Sequence, residues 1–108
     1  MEPRFAKAEK KTLRGLAGEA YARELDQALQ DLASLFTDWR AKRIDGFALA
    51  DAIHQFHEGP AQELWSRYEG LHPDLAVRLA LDGGVLRPAD VPVSLRHKLN
   101  ATDAESSP

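Results

Sequence analysis

The chain has 108 residues, 44% hydrophobic and 29% charged, with a net charge of −3 and no cysteine. That composition fits one globular domain with a small core, and it excludes a disulfide framework, a thiol nucleophile and a thiolate metal site. No apolar run approaches the roughly 18 residues that span a bilayer. The opening MEPRFAKAEKK has no apolar stretch after its basic residues, so neither a membrane span nor a signal peptide is expected, and the cytoplasm is the expected compartment.

Residues 1–14 hold Arg4, Lys7, Lys10, Lys11 and Arg14 against Glu2 and Glu9, a net +3 that leaves −6 on the rest. Residues 1–11 are expected to form a frayed basic arm. A long amphipathic helix is predicted over Thr12–Arg43, in which Tyr21, Leu25, Ala28, Leu32, Leu35 and Trp39 recur at alternating spacings of four and three. This alternation keeps all of them on one stripe of an α-helix. An earlier set, Leu13, Leu16, Ala17 and Ala20, centres about 90° away on a helical wheel. Gly15 and Gly18 coincide with that change of face. Either they kink or break the helix, or the helix is straight and its first third buries elsewhere; the kink is the preferred reading. Asp38 and Lys42 stand four apart in the order that favours an ion pair.

Asp45 is the expected N-cap of a second helix, with Ile44 and Leu49 as a hydrophobic staple, and the two helices are expected to form a tight antiparallel hairpin. Leu49, Ala52, Ile53 and Phe56 share its apolar face, and Gly59-Pro60 is expected to stop it. A third helix, Pro60–Glu69, puts Ala61, Leu64, Trp65 and Tyr68 on one side. A fourth begins near Pro73, buries Leu75, Ala76, Leu79 and Ala80, and ends at Gly83-Gly84. Pro88 and Pro92 can each open a short helical turn, and Val93, Leu95 and Leu99 are expected to cap one end of the bundle. Asn100–Pro108 is small and polar and is expected to be disordered. The prediction is an all-α fold: a small helical bundle, one domain over 12–99, in which a long N-terminal helix forms a hairpin with helix two and two or three shorter helices close the core.

The densest set of possible metal ligands is Asp51, His54, His57 and Glu58. Asp51, His54 and Glu58 fall within about 60° on the wheel. One Asp-x-x-His pair on an outer face falls short of the two pairs and extra carboxylates of a bundle di-iron site. These three residues are therefore weak metal candidates, and no metal or other cofactor is expected. Gly83-Gly84 lacks the following lysine and hydroxyl of a phosphate loop, and no serine stands in a nucleophile elbow. The helix–Gly-Pro–helix unit has the outline of a DNA-binding helix-turn-helix, but its second helix offers Arg67 against Glu63 and Glu69, the wrong balance for phosphate.

LAGEAYARELDQAL (Leu16–Leu29) and IDGFALADAIHQFHEGPAQELWSRY (Ile44–Tyr68) resemble segments of a family of small helical proteins found in bacteria, over about residues 12–99. The resemblance implies a compact helical domain and carries no activity, partner or site residue. The sequence is thus read as a non-enzymatic protein–protein interaction or adaptor module, homodimeric through its long helix or bound to another protein. Leu13, Leu16 and Phe47 are the expected contacts. The alternative is a small regulator touching nucleic acid through the basic arm; the third is a metal protein or enzyme centred on Asp51, His54 and Glu58.

Overall fold

The computed structural model describes residues 4–99. The expected tail at 100–108 lies outside the described residues, as do the first three residues of the arm. The described chain is all-α. Helix α1 (Lys7–Arg40) is followed by α2 (Gly46–Phe56), a π-helical turn (His57–Ala61) and α3 (Gln62–Gly70). Then come α4 (Pro73–Asp82), a 3-10 turn (Pro88–Asp90) and α5 (Val93–Lys98). The chain divides into two compact units. One joins the chain up to Ala20 with the chain from Leu71 onward; the other is Tyr21–Gly70.

The first unit holds most of the deeply buried side chains. Leu13 and Ala20 of α1, Ala76, Val77 and Ala80 of α4, Leu86, Val91, Leu95 and Leu99 are all buried. Of the three residues expected to touch a partner, Leu13 is 2% exposed and sits in this unit's interior, and Leu16 is half-buried. From the apolar face at Leu13–Ala20, Leu13 and Ala20 enter this unit's core, while Leu16 and Ala17 are half-buried. Helix α1 runs through Gly15 and Gly18 without a break; a kink or break was expected there. Both glycines are exposed, and a Cβ on either would meet nothing within 4 Å.

Helix α1 also starts earlier than Thr12. The Ala6 N–H donates to the Glu9 carboxylate at 2.9 Å, which caps the helix from within and moves its first turn to Lys7. Phe5 is buried, and the Arg4 and Lys98 cations lie 5.3 and 5.7 Å from its ring centroid. The Arg4 guanidinium donates to the Lys98 carbonyl, and Lys98 Nζ pairs with Glu9 at 2.7 Å. That ammonium, and then the Ala6 N–H, hold the Glu9 carboxyl below the usual carboxylate range. The arm from Arg4 on is therefore tied down and not frayed.

On α4 the buried face is turned from the expected one: Val77 is buried beside Ala76 and Ala80, while Leu75 and Leu79 are exposed. Val93 is likewise exposed, whereas Leu95 and Leu99 are buried as expected. Pro88 and Pro92 open the predicted turns.

Candidate functional site

The second unit is a two-helix hairpin built from Tyr21–Arg40 and the arm running from Gly46 to Gly70. Asp45 caps α2 as expected, its carboxylate accepting from the Ala48 N–H at 2.8 Å. Gly59-Pro60 does not stop the helix. Proline lacks an N–H and collides with the carbonyl four residues back, so an α-helix cannot pass it; a wider π turn absorbs the misfit, and α2 flows into α3. The helix–turn–helix outline is thereby lost, because no turn separates the two helices.

The arms are antiparallel. At the open end Tyr21 stacks on Tyr68, with centroids 5.0 Å apart and planes 9° from parallel. At the tip Gly46 lies against the Trp39 indole, where an added Cβ would be 4.0 Å from Nε1. The turn is a Schellman motif: Arg43 N–H donates to the Asp38 carbonyl at 2.8 Å and Lys42 N–H to that of Trp39 at 3.0 Å. Lys42 occupies its left-handed position with φ 64°, and it is Arg43 that pairs with Asp38, at 2.9 Å.

In an antiparallel pair, positions turned the same way from each facing stripe lie on the same side of the hairpin. One flank carries a polar cluster at the open end and a mainly apolar groove beyond it. Glu24 accepts from Arg67 at 3.1 Å and from the Tyr68 hydroxyl at 2.5 Å. Burial, and then that carboxylate, push the Tyr68 phenol above its ordinary range, so it stays a proton donor. Further along, Ala28 and Ala52 are small, and a groove of about 320 Å³ opens beside Leu32, Leu35, Phe56 and Pro60. Asp31 and Gln55 also line it.

The opposite flank is apolar and largely uncovered. On α1 it consists of Leu25, at the edge of the facing stripe, with Leu29 and Phe36 one step round from it; on the return arm it consists of Ile53 and Trp65. Trp65 is 51% exposed, Leu29 43% and Ile53 42%. Leu25 and Phe36 are half-buried. Among the described residues of this unit, Leu49 and Leu64 alone of the large apolar side chains are buried. The Tyr21–Trp39 stripe expected to serve as the domain's core is thus half-buried at best. Sequence reading missed the flank because it sought a single stripe; the signal was the second row, Leu25, Leu29, Leu32 and Phe36, at the same alternating spacing.

Phe47, the third expected contact, is 88% exposed at the tip. It lies roughly a third of a turn from Ile53 on α2, off the apolar flank. Asp51, His54 and Glu58 are exposed, and Asp51 accepts from Gln55 Nε2 at 2.9 Å. Among the described residues no group of three or more His, Asp or Glu side chains is placed to hold a metal ion. The π turn begins at His57, so Glu58 no longer stands in α-helical register with His54.

No helix among the described residues is long and apolar enough to cross a membrane. No protein-family model, curated protein or solved structure matches the chain.

Proposed function

We propose that the protein is a non-enzymatic protein–protein interaction module of the cytoplasm, and that its contact surface is the apolar flank formed by Leu25, Leu29, Phe36, Ile53 and Trp65. The observation that supports this reading is the exposure of large apolar side chains along one side of a hairpin whose ends are firmly secured. Large apolar side chains exposed together on one flank mark an interaction site more often than an ordinary solvated face does. Tryptophan is among the side chains that dominate interface energetics, and Trp65 stands on this flank half exposed.

The test uses the tagged full-length chain and a Leu29→Glu/Ile53→Glu variant, both exposed positions that tolerate charge without loss of helix. Each is recovered from cells of the source organism, with helix content checked by circular dichroism. The expected result is one or more proteins, the untagged chain included, retained by the wild type and lost from the folded variant. Equal recovery by the two would refute the assignment of the flank.

A further inference from the structure

Resting on that interaction reading, we propose that the flank's occupant is a second copy of the chain, packed antiparallel about a two-fold axis that passes beside Ala33. The argument begins with the outer row of α1: Asp26, Leu29, Ala33, Phe36 and Arg40, spaced three, four, three and four. This row runs along the edge of the apolar flank. It has an acid at one end, a base at the other, and its smallest residue at the centre. A two-fold axis at Ala33 sets Ala33 against its own copy, where small side chains allow close approach. Leu29 then meets Phe36 of the second copy, and Asp26 meets Arg40.

Charge over the whole hairpin has the same polarity. At the tip Arg40, Lys42 and Arg43 outnumber Asp38 and Asp45, leaving it net positive, and toward the open end Glu24, Asp26, Glu63 and Glu69 outnumber Arg23 and Arg67, leaving it net negative. Antiparallel packing lays each basic tip beside an acidic end, whereas parallel packing opposes like charges at both. The area is adequate. Twenty residues of α1 give the flank a length of about 30 Å, and two helices side by side a width of about 20 Å. Each copy then contributes about 600 Å², or about 1,200 Å² together, at the lower edge of specific interfaces. The product is a four-helix bundle with an isologous interface.

Because the chain has no cysteine, single-cysteine variants report this geometry directly. By sedimentation equilibrium at micromolar concentration the wild type is expected to dimerise. Ala33→Cys should form an intermolecular disulfide under mild oxidation much faster than Ser34→Cys, which points about 100° away. Asp26→Arg and Arg40→Asp should each weaken self-association about tenfold, and their combination should restore it, since both exposed pairs are reversed together. A chain that stays monomeric overturns the inference, while flank-dependent capture of another protein would leave the interaction reading intact. A dimer in which Ala33→Cys shows no advantage, or in which the double reversal gives no rescue, overturns the antiparallel packing.

Discussion

Two helices of this chain end in the same backbone motif with different residues at its critical position, which sets up a matched prediction. At the end of α4, Val85 N–H donates to the Ala80 carbonyl at 2.8 Å and Gly84 N–H to that of Leu81 at 3.2 Å, with Gly84 at φ 79°. At the end of α1 the equivalent position is Lys42, at φ 64°. A left-handed backbone costs an L-residue about 1–2 kcal/mol, of which the greater freedom of glycine in the unfolded chain cancels about 0.5–1 kcal/mol. Lys42→Gly is therefore expected to stabilise the hairpin by about 0.5–1 kcal/mol, and Gly84→Ala to destabilise the first unit by a similar amount. Both tryptophans, Trp39 and Trp65, belong to the hairpin unit, so urea unfolding followed by their fluorescence reads that unit. Lys42→Ala is the control, because it removes the charge and keeps the Cβ; its midpoint should match the wild type. Equal midpoints for Lys42→Gly and Lys42→Ala, or a glycine variant less stable than wild type, would show that the backbone at Lys42 carries no strain and would refute the reasoning.

Leu13→Ala should cost about 2–5 kcal/mol in thermal unfolding followed by circular dichroism, as expected of a core leucine, while Phe47→Ser should stay within about 0.5 kcal/mol. A partner-facing Leu13 would reverse the ranking. The Tyr68 phenol is raised above its ordinary 10.0 in the folded chain, so its contribution is complete below about pH 10 and is lost as pH climbs toward the folded value. Tyr68→Phe should flatten that alkaline decline in an unfolding series, and an unchanged decline would place its cause elsewhere. Glu9 is depressed below 4.5, so its contribution is present above the unfolded value and disappears as pH falls through the folded one. Glu9→Gln and Lys98→Ala should each make stability less sensitive to pH across that acid range.

What could be read without coordinates was whatever depends on local chemistry. The all-α class follows from helical periodicity and the lack of strand alternation. The Asp45 cap, the ends at Gly70 and Gly83-Gly84, and the turns opened by Pro88 and Pro92 follow from side chains acting on backbone groups a few residues away. Tertiary structure decided which apolar faces are used. Periodicity shows that Leu13–Ala20 and Tyr21–Trp39 lie on different sides of α1, but only the residues packed against each side settle which is buried; here the first encloses the deeper core. Phe5 was invisible as an anchor because its partners, Arg4 and Lys98, are 94 residues apart. The passage through Pro60 depended on a π turn that no propensity signals. Local rules see one helix at a time, whereas burial is a property of pairs. For that reason the apolar flank, with its second stripe already written in Leu25, Leu29 and Phe36, emerged only once the return arm was seen to leave it uncovered.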